Sequence, residues 1–415
     1  MALSDYALSV PDILIPAPWI NPEKWAVISC DQYTSQPEYW KQVESLVGDA
    51  PSTLHLTYPE VYLGKDEARF ASVSAAMEQA VSVPWVVPLR DSMLYLRRQT
   101  SYHRLRQGLV TAVDLEAFTF APGGKGLIRS TEGVVMDRIP PRLAIRRQAQ
   151  LEVPHIMLLV DDPEDRLFSA LNSLTQNRTP VYDFDLMLGA GHATGFPLAG
   201  ADFTAVETGL TAILERALEQ DAVHPMLMAV GDGNHSLVTA KTYWEELKEA
   251  GAPSDHPARH ALVEIVNLHD PGLGFEPIHR VVFTPNPAAY LSALTAWLAA
   301  DSHRDSVTQK LHCILQDRDM EISAQQQPNV LQAEVLQEAF VAMEEHFQAT
   351  VDYIHGEDAV RMLVSRGGAL GFLMPPFNPA SLFPYVSKRG SLPKKSFSLG
   401  HADEKRFYVE CRSIL

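Results

Sequence analysis

The strongest constraint on this chain is a short apolar run that breaks at two glycines and resumes as an amphipathic helix. Residues 226–230 are continuously apolar, Gly231-Asp232-Gly233-Asn234-His235-Ser236 follow, and 237–249 carry apolar residues at helical spacing. Leu237, Ala240, Trp244 and Leu247 fall on one face of that helix, with Lys241, Glu245 and Lys248 on the other. A strand that turns straight into a helix leaves several backbone N–H groups unpaired at the positive end of the helix dipole. Such a place stabilises an anion, and glycines there permit positive φ or close approach of a ligand. His235 adds a donor or proton carrier, and Asp232 offers a carboxylate to a metal ion or to His235. The competing reading is a capped βα connection in which Asp232 or Asn234 caps the helix and Gly233 makes the turn. The segment meets neither the Walker A pattern nor the GxGxxG fingerprint.

The same alternation runs along most of the chain. Residues 11–16 read as extended, 25–29, 156–160, 181–187, 261–268 and 278–283 as strands, and 38–47, 66–81 and 203–218 as helices. Residues 93–97 and 108–115 read as a hairpin whose loop carries Arg98, His103, Arg104 and Arg106. A helix is expected after Asp161-Asp162-Pro163, with the proline in its first turn. Beyond 285, helices at 288–299 and 331–347 alternate with short strands at 311–315, 350–354 and 369–373, and 406–411 is strand-like. This pattern predicts an α/β to α+β fold, with a mixed sheet core and flanking helices. The expected division is a main domain over 1–285, a smaller α+β subdomain over 286–380, and a segment over 381–415 that returns to the main core.

Charge narrows the partners. The 51 acidic residues outnumber the 34 basic ones, giving a formal net charge of −17. Nucleic-acid binding needs a basic face, so none is expected, whereas a pocket holding a small anion needs only local donors. No apolar run approaches the roughly 20 residues of a membrane span, and Met1-Ala2-Leu3-Ser4-Asp5 is unlike a signal peptide. Cys30, Cys313 and Cys411 are scattered, which argues for a reducing compartment and against structural zinc. A cytoplasmic protein is expected, with a homodimer allowed.

The Gly231-to-Ser236 segment resembles the Asp-Gly-His-His-Arg-Tyr signature of domain-of-unknown-function family 1015. Asn267-Leu268-His269-Asp270-Pro271-Gly272-Leu273, Pro277-Ile278-His279-Arg280-Val281-Val282 and Pro393-Lys394-Lys395-Ser396 are similar to that family's Asp-Pro-Gly-Leu, Pro-Thr-His-Arg and Pro-Pro-Lys-Ser elements. The stretches from Cys30 to Pro37 and from Arg129 to Gly133 resemble one branch of it, so the likeness covers essentially the whole chain. The turn is also similar to the phosphate-binding element of the ParB/sulfiredoxin-like superfamily, which includes free-serine kinases. Ser236 stands where that pattern has Arg, a permanent forked cation for phosphate.

The resemblance implies that Gly231, Gly233, Asn234 and Ser236 hold nucleotide phosphates, of ATP or ADP, with Mg²⁺ bound through Asp232. The missing charge is expected from His279 and Arg280, from Lys394 and Lys395, and from Arg129. Glu132 is the candidate general base for an attacking hydroxyl, and His235 a phosphate donor or acid. Asp183, Asp185 and His192 have residue types that suit a metal, although an exposed strand face explains them too; His155 reads as structural. No nucleophile motif is present, and Asn234 stands where sulfiredoxin-like redox chemistry requires cysteine. The expected activity is a nucleotide-dependent phosphotransferase acting on the hydroxyl of a small polar metabolite, free serine first. The alternatives are a non-catalytic nucleotide- or anion-binding regulator and a phosphate-ester hydrolase.

Overall fold

The computed structural model describes all residues except 1, 63–66, 103, 122, 301–306 and 329; the expected start of the helix at Asp66 and the loop residue His103 lie outside the described residues. Period-two burial builds the main sheet. Leu94, Leu96, Val110 and Leu262 pack into one core. Met93, Tyr95, Leu109, Val113, Ala261 and Val263, on the alternate positions, pack into another. The expected hairpin forms as Met93–Thr100 and Leu105–Asp114, in antiparallel register with Leu94 opposite Val110.

In spatial order the sheet runs Tyr182–Leu186, Gly191–Leu198, Met93–Thr100, Leu105–Asp114, His260–Asn267, Met157–Val160, Met228–Asp232, Ile128–Arg129 and Phe118–Thr119. It is mixed. Met157–Val160 runs parallel to His260–Asn267 but antiparallel to Met228–Asp232, which in turn runs parallel to Ile128–Arg129. Among the described residues no helix is long and apolar enough to cross a membrane.

The chain divides into two units. One comprises Met1–Leu273, Pro379–Ser391 and Gly400–Leu415; the other comprises Gly274–Asn378 and Leu392–Leu399. The first boundary therefore falls at 273 rather than 285. Strand Phe275–Phe283 is hydrogen-bonded to Thr350–His355, Ala369–Leu373 and Phe397–Leu399, all in the second unit. The same pairing takes 392–399 out of the returning segment. The second unit's sheet runs Asp319–Gln326, Val307–Ile314, Ala369–Leu373, Phe275–Phe283, Thr350–His355, and helices Pro287–Ala299 and Gln332–Phe347 contribute to its core.

Three local expectations change. The helix after Pro163 begins only at Arg166, because Asp165 adopts left-handed φ and Asp162 Oδ2 accepts from Leu167 N at 2.9 Å. Strand Gly191–Leu198, hidden in the sequence by Gly191, Gly195 and Pro197, pairs on both sides. That pairing sets His192 opposite Asp185, and the imidazole lies 2.7 Å from Asp185 through Nδ1 and 2.7 Å from Asp183 through Nε2. Burial lowers the His192 pKa, but the hydrogen bonds to Asp185 and Asp183 outweigh it and the pKa rises. The imidazole is thus held between two carboxylates. Among the described residues no group of three or more His, Cys, Asp and Glu is arranged to hold a metal ion.

Helix Phe203–Gln220 meets helix Arg166–Thr175 through Gly209, where an added Cβ would lie 2.8 Å from Leu167 Cα. Alanine would gain about 1 kcal/mol of helix propensity, against roughly 1–3 kcal/mol of overpacking. Gly209→Ala is therefore expected to lose about 1 kcal/mol in urea denaturation, and a gain in stability would show that the helix pair separates freely.

Candidate functional site

Strand register assembles the site in the first unit. The strand from Met228 runs on to Asp232, two residues beyond the expected end, and the helix starts at Asn234, three residues early. Gly233 alone makes the turn, as the helix N-cap at φ +78°. Its missing Cβ would sit 3.0 Å from Ile156 Cα, so both its φ and its surroundings favour glycine. Neither Asp232 nor Asn234 caps the helix. Asp232 Oδ1 accepts from Gly233 N at 2.9 Å, and Asn234 Oδ1 accepts from Ser130 Oγ at 2.6 Å. With glycine at the N-cap, the helix has no cap side chain of its own.

Pairing of Met157 with Asp232 carries His155 alongside the turn, where its ring comes 3.5 Å from the position of a Gly233 Cβ. Parallel pairing of Ile128–Arg129 with Met228 and Ala229 delivers the segment 130–132 to the other side. There the buried Thr131 hydroxyl donates to Val230 O at 2.6 Å. Ser130 Oγ also lies 2.8 Å from the backbone carbonyl of the half-buried Glu132, so one hydroxyl stands between that carbonyl and Asn234 Oδ1. Val135 N donates to His235 Nε2 at 3.3 Å, placing the proton of the neutral ring on Nδ1. The Arg129 guanidinium donates to Gly126 O at 3.0 Å and His224 O at 2.5 Å.

The C-terminal segment supplies residues that the sequence did not single out. Strand Phe407–Tyr408 pairs with Val27–Ile28, which brings Lys405 and Tyr408 to the turn together with Cys30 and Asp31. Lys405 Nζ lies 3.0 Å from Asp232 Oδ2, with its side chain only 8% exposed. A sequestered ammonium next to the turn is a local cation of the kind that Ser236, in place of Arg, leaves to be found elsewhere.

Ser236 Oγ lies 3.3 Å from His155 Nε2, His155 Nδ1 lies 2.9 Å from the Tyr408 hydroxyl, and Asp31 Oδ2 is 3.9 Å from His155 Nε2. Cys30 N donates to the Tyr408 oxygen at 3.0 Å, and burial holds the phenol pKa well above its usual value. The Tyr408 phenol thus meets one ring nitrogen of His155, and the Ser236 hydroxyl and the Asp31 carboxylate lie on the side of the other. Burial opposes ionisation of Asp31, yet His155 and the hydrogen bond from Gln32 keep its pKa below the usual range. Burial, with Asp31 and Glu60 nearby, pushes the Cys30 thiol up to about 12, so it is no nucleophile at neutral pH.

The remaining predicted residues belong to the second unit. Arg280 is buried, donates to Ile278 O and, at 3.1 Å, to Lys394 O, and lies 4.7 Å from the Tyr353 ring centroid. His279 accepts from Met374 N at 3.0 Å, and burial lowers its pKa. Lys394 and Lys395 are exposed on a turn closed by Ser396 Oγ donating to Pro393 O at 2.7 Å, with Lys395 at φ +57°. The structure thus brings Arg280 and the lysine turn together, and separately gathers 130–132, 231–236, His155 and Lys405.

Several solved structures are similar to this chain. A conserved hypothetical protein from Pyrococcus furiosus matches at 10% identity and a TM-score of 0.36, covering 74% of this chain and 94% of that one. Free serine kinase in complex with AMP matches at 9% identity and a TM-score of 0.37, covering 74% and 91%. SbnI with C-terminal truncation, from Staphylococcus aureus, matches at 9% identity and a TM-score of 0.37, covering 72% and 85%. No curated protein matches the chain. The model of one family, described as protein of unknown function (DUF1015), matches residues 15–352, and the chain belongs to that family.

Proposed function

We propose that the first unit is a nucleotide-dependent phosphotransferase that holds the phosphates of ATP or ADP at the start of helix Asn234–Glu249 and transfers a phosphoryl group to the hydroxyl of a small metabolite. One observation carries the reading: a glycine-capped helix start with a sequestered ammonium, Lys405, beside it. Backbone N–H groups of the first helical turn, with the Ser236 hydroxyl and His235 Nδ1–H, are donors to phosphate oxygens. Lys405 takes the neutralising role that the sequence assigned to Arg280 and Lys395. Glu132, beside Ser130 and Asn234, receives the acceptor's proton as the new O–P bond forms and the bond to the departing nucleotide breaks. Mg²⁺ typically needs only one or two protein carboxylates besides phosphate oxygens, which Asp232 fits, and when bound it screens phosphate charge. Asp232 is already paired with Lys405, so a bound metal ion would share that carboxylate with the ammonium.

Purified protein is to be incubated with ATP, ADP or CTP, Mg²⁺ and a panel of hydroxylated metabolites that includes free serine. A phosphorylated acceptor is the expected product, and His235→Ala is expected to slow its formation at least tenfold. Inorganic phosphate without acceptor would identify a hydrolase, and a nucleotide-induced thermal shift without turnover a regulator. Signals identical in wild type and His235→Ala would remove the turn from the mechanism.

A further inference from the structure

A cavity of about 170 Å³ lies behind Ser236, with Ser236, His155, Cys30 and Tyr408 in its lining. Much of the rest is apolar, including Leu56, Met77, Ile145, Ala149 and Val153. An apolar cavity of about 150 Å³ accommodates benzene, so this one accepts a single ring or a branched chain of about six carbons. It is too small for a nucleoside or a drug-sized ligand, whose pockets begin near 300 Å³.

The cavity's ionic groups are paired with one another, with Arg146 Nε the one nitrogen among them that is buried without a hydrogen-bond partner among the described residues. Arg142 pairs with Glu60 and donates to Arg138 O at 2.8 Å. Arg146 pairs with Glu152 at 2.8 Å, and Glu152 also receives Arg412 Nε at 2.7 Å and Leu262 N at 2.7 Å. A zwitterion would bring a carboxylate and an ammonium to walls whose ionic groups are committed to one another, and burying an uncompensated charge is costly. A neutral hydroxyl at the Ser236–His155 end meets hydrogen-bonding groups without that penalty.

We infer that this cavity is the acceptor subsite and that it takes an uncharged alcohol with a compact apolar body, in preference to free serine. The inference rests on the phosphotransferase reading for its link to catalysis, but its binding step can be measured alone. The full-length chain is to be titrated calorimetrically with benzyl alcohol, 3-methylbutan-1-ol, glycerol and L-serine, with and without ADP and Mg²⁺. Benzyl alcohol or 3-methylbutan-1-ol is expected to bind at least tenfold more tightly than glycerol or serine. Ala149→Phe, which fills the cavity, is expected to abolish that binding and to leave the ADP-induced thermal shift in place. Met77→Ala, which enlarges the cavity without adding bulk, is expected to move the preference toward 2-phenylethanol. Serine or glycerol binding as tightly as the apolar alcohols would overturn the inference, as would alcohol titrations unchanged in both variants. Alcohol binding without any nucleotide binding would instead retire the phosphotransferase and leave the subsite standing; nucleotide binding without alcohol binding would do the reverse.

Discussion

Glu264→Gln is expected to destabilise the protein by about 3 kcal/mol in urea denaturation, although glutamine matches glutamate in shape. Glu264 is fully buried in the central strand His260–Asn267, where its carboxylate lies 2.5 Å from Arg406 Nη1 and 3.4 Å from Arg106 Nη2. Arg406 keeps Glu410 at 2.7 Å after the substitution, but Arg106 loses its ion pair inside the fold. The cost therefore comes from a stranded guanidinium, more than from a lost bond. Arg106→Met in the same chain should recover part of the loss; a double variant no more stable than Glu264→Gln would show that Arg106 is not the source.

The network also sets an acid limit. Burial opposes ionisation of Glu264, but Arg106 and Arg406 outweigh it and lower its pKa below the usual carboxylate value. A depressed folded pKa stabilises the fold above the unfolded value, about 4.3 for glutamate, and that contribution fades as pH falls toward the folded pKa. Wild type should lose its advantage over Glu264→Gln progressively below about pH 4. A stability gap that stayed constant from pH 7 to pH 3 would refute the assignment.

Lys405→Met is expected to weaken ADP binding by roughly 10- to 100-fold, because a hydrogen bond to a charged group contributes about 1.5–3 kcal/mol and each 1.4 kcal/mol is a factor of ten. Methionine keeps most of the apolar stem, so the loss isolates the ammonium that now lies 3.0 Å from Asp232. Lys405→Arg should restore much of the affinity through a guanidinium. Titration with ADP decides the matter: a well-folded Lys405→Met protein with wild-type affinity would mean that Lys405 serves only to neutralise Asp232.

Local pattern made much of this legible. The apolar run before Gly231 and the helical spacing after Ser236 announced a strand and a helix, and only the single-residue turn at Gly233 displaced their ends. Strand Gly191–Leu198 escaped notice because its glycines suggest a loop, yet Gly195 is needed where the Tyr182 ring leaves no room for a Cβ. The partners of the turn were beyond reach for a different reason. Lys405 stands 173 positions from Asp232, and His155 stands 81 from Ser236. What joins them is strand register, and one sequence carries no direct sign of which strand lies beside which. The surroundings of Arg280 were equally hidden: a His-Arg pair on a strand suggested a phosphate clamp, and the structure buries the side chain and sets it against the Lys394 carbonyl.

The late position of Lys405 and Tyr408 has a consequence for synthesis. The glycine turn, His155 and the 130–132 segment all leave the ribosome long before the residues that pair with Val27–Ile28. A nascent chain stopped anywhere before Lys405 lacks the ammonium beside Asp232, the phenol beside His155, and the Arg406 partner of Glu264. The candidate site is thus assembled only once this segment has been translated, and truncated products carry the glycine turn without Lys405 and Tyr408.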